Sequence, residues 1–526
     1  MTDRPATFGA ALAAWARETP HQPATSFEGT TQDFATLDAR ASQVARALTA
    51  SGLSKGDRIA YLGKNSDRVV ELSCGAARAG VVLVPVIWRL SPEEIAYVLG
   101  DSGAKLLFVG DALEDCATDS LQRAGMAIPV IAMDCSAPHP DWPDFAAWRD
   151  SQDATDPGIP VDASDPVIQL YTSGTTGKPK GAVLSHANGT VLRGHMEDGG
   201  LGWLLAAPGE SVLHAMPFAH IAGIGTVLGA VYSGQLLVIT REFDPGATLD
   251  IIQHYRLGRL FLVPAALAIL LAHPQAATTD FSSIKTFSYG ASPIPLDLLQ
   301  RGVDVLQCDF AQMYGMTETW GTVVMLPPED HTPDRAHKMS AAGKALPGVE
   351  LAILDEDGNH LPPDSVGELA IKSPTNMIGY WNKPEETAKT LTADGWLRTG
   401  DVGVIDAEGY LFLKDRIKDM IITGGENVYP AEVESAIYGH PHVADVAVIG
   451  VPDDRWGEAV KAIIVAAPGT TPDPAEIIAW TRDKIAAFKC PKSIDFIDAL
   501  PRNPSGKILR RTLREPYWAG RDRSVN

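Results

Sequence analysis

The spacing of apolar residues predicts alternating helices and strands in the first part of the chain. Apolar residues recur at helical spacing through "FGAALAAWARET" and "FATLDARASQVARALTASG", which predicts two helices, the second ending at Gly52. Short apolar runs follow as predicted strands: "RIAYLG", "VVLVPV" and "KLLFVG". Between them, "SDRVVELSCGAARAG" and "SPEEIAYVLGDSG" are predicted helices. This alternation predicts a mostly parallel sheet with helices on its faces.

The pattern changes at two later points. The strand–helix alternation recurs from about residue 211 to 325. From about 343 to 415, short strands with tight turns, such as "LAILDEDGNHL" and "VGVIDAEGYLFL", predict an antiparallel subdomain. Another α/β stretch with a basic tail follows. We therefore expect an α/β protein with two domains. The large N-terminal domain, residues 1–416, has mostly parallel sheets with flanking helices and includes a small antiparallel β subdomain at about 343–416. The C-terminal domain, residues 417–526, is a small mobile α+β domain.

The composition indicates a multidomain globular enzyme. A chain of 526 residues is too long to form a single domain with one hydrophobic core. The hydrophobic content of 45% and the charged content of 21% are average for a soluble enzyme. The net charge of −21 disfavours nucleic acid and anionic membranes as partners, so an anionic substrate needs local lysines and arginines. Five cysteines without a CxxC spacing argue against a disulfide framework or a zinc site. The sequence has neither the pattern of a signal peptide nor an apolar run of membrane-spanning length, so we expect a cytoplasmic protein.

One stretch, "LYTSGTTGKPKGAVLSH" at 170–186, has the composition of a phosphate-binding loop. A Walker loop needs a longer gap between its glycines and a following helix, whereas here Pro179 follows Lys178 and "AVLS" is a predicted strand. We therefore predict a strand–loop–strand arrangement whose backbone N–H groups, hydroxyls and lysines face phosphate. The alternative is a solvated surface hairpin. The candidate phosphate ligands are Thr172, Ser173, Gly174, Thr175, Thr176, Gly177, Lys178 and Lys180.

This stretch resembles the signature of the adenylate-forming superfamily, which includes acyl-CoA synthetases, peptide-synthetase adenylation domains and beetle luciferases. Further motifs of that superfamily follow in the expected order: "MYGMTET" at 313–319, "GKALPG" at 343–348, "GWLRTGD" at 395–401, "LKDRIKDMIITGGENVYPAEVE" at 413–434 and "PRNPSGKILRR" at 501–511. The resemblance covers essentially the whole chain. Its "DRIKDMIITGGENVYP" segment is similar to the fatty-acyl and feruloyl branches.

The resemblance implies an ATP-dependent first reaction, in which a carboxylate joins the α-phosphate of ATP and pyrophosphate leaves. It implies that Glu318 binds Mg²⁺, that Thr317 bonds the α-phosphate, and that Lys507 bridges carboxylate and phosphate as the catalytic lysine. Alternatively, Glu318 is a charge at a helix start and Lys507 belongs to a basic tail. The implied adenine and ribose residues are Gly290, Ala291, Tyr314, Gly315, Asp401 and Arg416.

The resemblance also implies a second reaction, in which the acyl group passes to a thiol. The C-terminal domain rotates about a hinge, at Lys418 in this chain, where other branches carry aspartate. Gly424 and Gly425 would then approach the pantetheine arm. Because the sequence contains no carrier-protein serine motif, coenzyme A is the expected acceptor.

The resemblance also implies an acyl pocket. "HAMPFAHIAGIGT" resembles the acyl-pocket segment, and its His220 matches the gating position, although a partly buried structural histidine is the alternative. The small residues in the segment favour a roomy pocket, whereas the bulky ones near "YGMTE" favour a short one. We expect a hydrophobic monocarboxylate, either a medium- or long-chain fatty acid or a cinnamate-type aryl acid. The implied pocket residues are His220, Ala222, Gly223, Thr226, Met313 and Trp320.

The expected function is therefore an acyl-CoA synthetase that uses ATP, Mg²⁺ and coenzyme A. The alternatives are a stand-alone adenylation enzyme that loads a carrier protein, a luciferase-like oxygenase, and a catalytically silent adenylate-binding protein. No nucleic acid partner and no integral membrane span are expected, and the resemblance leaves room for a homodimer.

Overall fold

The structure is a computed structural model that describes residues 5–135, 139–172, 178–292, 294–335, 337–502 and 508–519. Within these ranges the strands form five sheets, which helices cover. No helix in the described part of the chain is long and apolar enough to cross a membrane.

The first sheet contains the parallel strands that the early apolar runs predict. Two of them, Val82–Val86 and Leu106–Gly110, are buried at every position, as expected for a parallel sheet covered on both faces. In spatial order its described strands are Gly379–Tyr380, Lys180–Ser185, Pro166–Thr172, Val82–Val86, Arg58–Leu62, Leu106–Gly110 and Val130–Met133. The accompanying helices are Phe8–Glu18, Phe34–Ala50, Asp67–Ala79, Pro92–Ser102, Glu114–Ala124 and Phe145–Asp150.

The second sheet confirms the strand–helix alternation predicted for about 211–325. Its first described strands are parallel and its last ones antiparallel, in the order Arg259–Leu262, Thr286–Gly290, Asp309–Met316, Gly321–Leu326 and Lys344–Ala345. The helices Pro245–Tyr255, Pro264–Ala272 and Leu296–Leu306 connect or flank its parallel part. Short 3₁₀ turns complete the region at Gly202–Leu204, Pro274–Thr278, Thr317–Thr319, Pro328–Asp330 and Pro333–Arg335.

The third sheet contains a hairpin that the sequence analysis did not predict. Pro23–Phe27 and Thr30–Asp33 pair between the first two helices, and Pro23–Phe27 then pairs in parallel with Leu236–Ile239. That partner lies far away in the sequence, so apolar spacing gives no sign of the pairing. Ser211–His214 completes the sheet. The helices His186–Asp198 and Ile221–Tyr232 are the other helices of this part of the chain.

The last two sheets follow the change of pattern at about residue 343. The fourth is antiparallel, as predicted, with strands Glu350–Leu354, Gly367–Lys372, Trp396–Ile405 and Leu411–Arg416. The fifth contains Ile421–Thr423, Glu426–Val428, Val443–Asp453, Gly457–Ala466 and Ser493–Phe496. The remaining helices are Pro384–Thr390, Pro430–Tyr438, Pro474–Arg482 and Arg510–Trp518, with a 3₁₀ turn at Ile417–Asp419.

Candidate active site

The glycine-rich stretch lies between two paired strands. Pro166–Thr172 and Lys180–Ser185 are antiparallel neighbours, and Thr172 stands opposite Lys180. This pairing confirms the strand–loop–strand prediction and excludes a Walker loop, because no helix follows the lysines. The loop residues Ser173, Gly174, Thr175, Thr176 and Gly177 lie outside the described residues.

The two lysines of the loop have different surroundings. Lys178 is exposed, and its Nζ lies 5.2 Å from the ring centroid of Tyr97, whose hydroxyl donates to the Pro179 carbonyl over 3.1 Å. Lys180 is buried and pairs with Glu386 at 3.2 Å. The charge of Lys178 is therefore accessible to a phosphate, whereas that of Lys180 is engaged within the protein.

Glu318 lies at the centre of a small hydrogen-bonded cluster. It is 4% exposed in the turn Thr317–Thr319, which places half-buried Thr317 beside it. The Thr172 hydroxyl donates to Glu318 Oε1 over 3.0 Å, and the Tyr380 hydroxyl donates to the same oxygen over 2.8 Å. Among the described residues, both hydrogen bonds to this carboxylate reach Oε1, so Oε2 keeps its capacity as an acceptor. A carboxylate oxygen of this kind fits Mg²⁺, which is a hard cation.

A second cluster joins Tyr314, Asp401 and Arg416. The Tyr314 hydroxyl donates to Asp401 Oδ2 over 2.6 Å, and Arg416 Nε lies 2.5 Å from Asp401 Oδ1. Asp401 and Arg416 are direct neighbours on antiparallel strands, and Arg416 also donates to the Thr399 carbonyl. Sheet pairing therefore fixes the arginine against the carboxylate.

Electrostatics couple the two clusters. Burial alone would lower the pKa of the Arg416 guanidinium. The attraction of Asp401, with smaller contributions from Tyr314 and Glu318, is stronger than this effect of burial, so the pKa is raised. Burial, together with the Asp401 charge, raises the pKa of Tyr314, so its hydroxyl remains a donor at neutral pH. Arg416 thus lies within electrostatic reach of both carboxylates.

The glycines near Tyr314 allow close approach of neighbouring strands. A Cβ on Gly290 would lie 2.2 Å from the Met313 carbonyl oxygen, and one on Gly315 would lie 1.7 Å from that of Gly321. Ala291 follows with a φ of 68°, which side-chain-bearing residues adopt rarely. Any side chain at the two glycines would force the strands apart and move Tyr314.

His220 is the N-cap residue of the helix Ile221–Tyr232, and one of its ring nitrogens is unused. Its Nε2 atom is buried without a hydrogen-bond partner among the described residues. Burial, with the nearby charge of Arg89, lowers the pKa of His220 to about 4. The imidazole is therefore neutral at physiological pH and can accept or donate one hydrogen bond to a ligand.

The other expected pocket residues point in several directions. Gly223 faces the protein backbone, because a Cβ there would lie 2.1 Å from the Pro217 carbonyl oxygen. The Thr226 hydroxyl donates to the Ala222 carbonyl over 2.7 Å, which uses its donor inside the helix. The hydroxyl proton of Thr226 is therefore not available to a ligand.

The two bulky residues of the expected pocket lie in different packing environments. Trp320 stacks on Phe8 with ring centroids 5.7 Å apart, and a Cβ on Gly225 would lie 4.0 Å from its Nε1. Met313 packs against the apolar cluster beneath the second sheet's antiparallel edge. One face of the indole is therefore covered by the protein itself.

The expected hinge and thiol-site residues follow the fourth sheet. Lys418 is in the turn Ile417–Asp419, and its carbonyl accepts a hydrogen bond from Arg514. Gly424 and Gly425 form the tip of the hairpin that starts the fifth sheet, with φ values of 62° and 85°. Lys507, the expected catalytic lysine, lies outside the described residues.

The structure adds three side chains that the sequence analysis missed. Tyr380 bonds Glu318, Tyr97 anchors the end of the glycine-rich loop, and the Asp101 carboxylate accepts hydrogen bonds from Tyr171 and Lys383. Tyr380 stands in "MIGYWNKPEET", where no periodic pattern marks it. Its importance follows from a strand pairing between residues that are distant in sequence.

Comparison with known proteins agrees with this geometry. Residues 12–381 match the AMP-binding enzyme family and residues 432–507 match the AMP-binding enzyme C-terminal domain. The chain is 43% identical to the fatty acid–[acyl-carrier-protein] ligase ScoC of Streptomyces coeruleorubidus, over 97% of this chain and 96% of the relative. It is 38% identical to a feruloyl-CoA synthase of an Amycolatopsis species, over 96% and 99%.

A solved structure shows the same architecture. ATP-bound MatB from Rhodopseudomonas palustris superposes with a TM-score of 0.86 at 33% identity, over 97% of this chain and 99% of that one. The fold, the ordered motifs and the paired carboxylate clusters have one common explanation: the chain belongs to the AMP-binding enzyme family, in its acyl-CoA synthetase branch.

Proposed function

We propose that this protein is an AMP-forming carboxylic acid–CoA ligase. The observation that carries the proposal is the placement of Glu318 between two groups. Thr172, at the start of the glycine-rich stretch, donates to Glu318, and the turn of Glu318 directly follows the strand of Tyr314, which bonds Asp401. The Glu318 carboxylate offers a hard oxygen beside the glycine-rich phosphate loop. The Asp401 carboxylate and the Arg416 guanidinium offer the hydrogen-bond acceptor and the cation that can bind a ribose. Their separate environments suit the two ends of one nucleotide.

In the first reaction, a carboxylate oxygen of the acid attacks the α-phosphorus of ATP, and the bond to pyrophosphate breaks. Asp401 accepts hydrogen bonds from the ribose hydroxyls, and Tyr314 offers its ring face to adenine. Lys178 and Lys507 counter the charge of the two anions that must meet. Mg²⁺ bound by Glu318 would neutralise charge on the phosphates.

In the second reaction, a thiol attacks the acyl carbonyl of the adenylate, loses its proton, and AMP leaves. The C-terminal domain, residues 417–526, turns about Lys418 to bring Gly424 and Gly425 to the thiol route. His220, which is neutral because its pKa is about 4, lines the acyl end of the site without adding charge.

The acid is a hydrophobic monocarboxylate in this proposal. The Thr226 hydroxyl is used within its helix, and "HAMPFAHIAGIGT" contains no lysine or arginine for a second carboxylate. The relatives named for fatty acids and for ferulate support an apolar chain or an aryl acid. Because Phe8 covers one face of Trp320, that face is not available to an aryl ring.

Loading of a carrier protein is the second candidate function. One relative is named as an acyl-carrier-protein ligase at 43% identity, which is a specific reason to test a protein-bound thiol beside free coenzyme A. Both acceptors present the same pantetheine thiol, so the first reaction does not distinguish them.

The deciding experiment measures pyrophosphate release with Mg²⁺ and ATP against acetate, octanoate, palmitate, benzoate and ferulate. Each acid is tested alone, with coenzyme A, and with phosphopantetheinylated carrier protein. Turnover that needs octanoate, palmitate or ferulate together with coenzyme A supports the proposal. Dependence on the carrier protein supports the second candidate. Glu318→Gln, isosteric but uncharged, is the matched control and should show no acid-dependent release; equal release by this variant would contradict the role of Glu318.

A further inference from the structure

Tyr380 is held in place from three sides. Its strand Gly379–Tyr380 pairs with Lys180–Ser185, and the next residue, Trp381, donates its backbone N–H to the Gly181 carbonyl. The Tyr380 backbone N–H donates to the Thr387 hydroxyl over 2.9 Å. The side chain is 8% exposed. Its hydroxyl therefore reaches Glu318 Oε1 from a fixed backbone.

Lys180 lies over the ring of Tyr380. Its Nζ is 4.3 Å from the ring centroid and is fixed there by the ion pair with Glu386. A cation on the face of a phenol withdraws electron density from the ring, which makes the hydroxyl a stronger donor.

Two donors therefore occupy the same carboxylate oxygen. Thr172 and Tyr380 both donate to Glu318 Oε1, at 3.0 Å and 2.8 Å. With Oε1 engaged, Glu318 can offer a cation only Oε2. Mg²⁺ takes carboxylates through one oxygen in a tight octahedral shell, whereas Ca²⁺ is larger and readily accepts both oxygens.

We propose that Tyr380, supported by Lys180, is a positioning residue that restricts Glu318 to one-oxygen binding and so selects Mg²⁺ over Ca²⁺. The inference rests on the proposed function, because it takes Glu318 as the metal ligand. It assigns Lys180 to the support of that carboxylate, whereas Lys178 remains available to phosphate.

Tyr380→Phe is the test, and the chain offers a matched control in Tyr410→Phe. Tyr410 is 5% exposed, donates its hydroxyl to Asp330 Oδ2 over 2.8 Å, and has Lys338 Nζ 3.8 Å from its ring centroid. Both variants thus remove a phenol hydroxyl from a buried carboxylate beneath a lysine. Only one of them touches Glu318.

The readout is calorimetric binding of an ATP analogue with a methylene bridge between the α- and β-phosphates, measured once with Mg²⁺ and once with Ca²⁺. We expect the ratio of the two dissociation constants in Tyr380→Phe to shift toward Ca²⁺ by about 10-fold, the usual effect of one hydrogen bond to a charged group. Tyr410→Phe should keep the wild-type ratio. Lys180→Met should shift the ratio in the same direction by less, and it carries the test if Tyr380→Phe does not fold.

Two results would overturn the inference: a Tyr380→Phe ratio equal to that of the wild type, or an equal shift in Tyr410→Phe. Failure of the proposed function gives a different result. The wild-type protein would then bind the analogue with neither metal and release no acid-dependent pyrophosphate, and the inference would fall with it.

Discussion

At the scale of single residues, the Tyr314 hydroxyl fixes the orientation of a ring that we propose stacks on adenine. Its bond to Asp401 is 2.6 Å long and partly buried. Tyr314→Phe keeps the ring face but loses the bond that orients it, so we expect the KM for ATP to rise by about 3- to 10-fold.

Tyr314→Leu should raise the same KM by more than Tyr314→Phe does, since it loses both the orientation and the aromatic face. Steady-state rates at varied ATP concentration measure the two effects. Equal KM values for the Phe and Leu variants would show that the ring does not contact the nucleotide.

The buried His214 leads to a second prediction at this scale, which concerns the pH dependence of folding stability. His214 is 1% exposed, neither ring nitrogen has a hydrogen-bond partner among the described residues, and burial lowers its pKa to about 3. The unfolded chain binds a proton on this group below a pKa of about 6.5, whereas the folded protein does not until about pH 3. Folding stability therefore falls as the pH drops from 6.5, by up to about 1.4 kcal/mol per pH unit for this residue.

His214→Leu should reduce the loss of melting temperature between pH 7 and pH 5. Thermal melts of the wild type, His214→Leu and a variant of the exposed His254, His254→Leu, measure the difference. Asp415 acts in the opposite direction, because burial raises its pKa to about 6, but it is unchanged in all three proteins. A pH slope in His214→Leu equal to that of the wild type would contradict the prediction.

The candidate site could be predicted from the sequence only in part. Motifs named Glu318, Tyr314 and Asp401, and the structure brings Tyr314 and Asp401 together. The burial of Lys180 could not be predicted, since it depends on Glu386 and Tyr380, which are distant in sequence. The roles of these residues in catalysis remain predictions.

At the scale of elements, local sequence signals predicted individual elements correctly, but they could not predict pairing between strands that are distant in sequence. Pro179 correctly predicted a strand–loop–strand element, because proline cannot continue a helix from Lys178. The parallel pairing of Pro23–Phe27 with Leu236–Ile239 escaped prediction, since the two strands are distant in the chain. The short strand Gly379–Tyr380 also escaped prediction. It pairs with Lys180–Ser185 in the first sheet, which is distant in sequence, although the residues around it belong to the antiparallel region.

The hairpin tip at Gly424 and Gly425 supports a prediction about an element. Both residues have positive φ, but only Gly424 is crowded, because a Cβ there would lie 2.7 Å from the Trp456 ring. Gly425→Ala should cost about 1 kcal/mol of stability and slow thioester formation more than adenylation.

Gly424→Ala should cost more stability than Gly425→Ala, and Trp456→Ala in the same chain should recover part of the difference. Melting temperatures and separate assays of the two half-reactions measure these effects. Equal slowing of both half-reactions by Gly425→Ala would contradict a role of this tip at the thiol.

At the scale of the whole molecule, the α/β architecture and its antiparallel sheet were predictable, because period and turn chemistry are local signals. The division into residues 1–416 and 417–526 remains a prediction. The fourth sheet ends at Arg416 and the fifth begins at Ile421, which leaves only a short connection between them.

Side-chain contacts limit where that connection can turn. Arg416 is bonded to Asp401 and to the Thr399 carbonyl, so it is fixed to the fourth sheet. On the other side, Arg514 bonds the Lys418 carbonyl and the Asp419 carboxylate, which fixes both to the helix Arg510–Trp518. A rotation that keeps both sets of contacts must therefore occur at the backbone of Ile417 and Lys418.

Lys418→Pro tests this pivot. Proline fixes φ near −65°, so we expect it to hold one domain orientation and to slow one half-reaction at least about 10-fold more than the other. Lys418→Ala removes the same side chain but keeps backbone freedom, so it should slow both half-reactions little. Pyrophosphate release with hydroxylamine trapping measures adenylation, and supplied acyl-adenylate with coenzyme A measures thioester formation. If the Pro and Ala variants slow the two half-reactions alike, the pivot lies elsewhere, and the contacts of Arg416 or Arg514 must break during turnover.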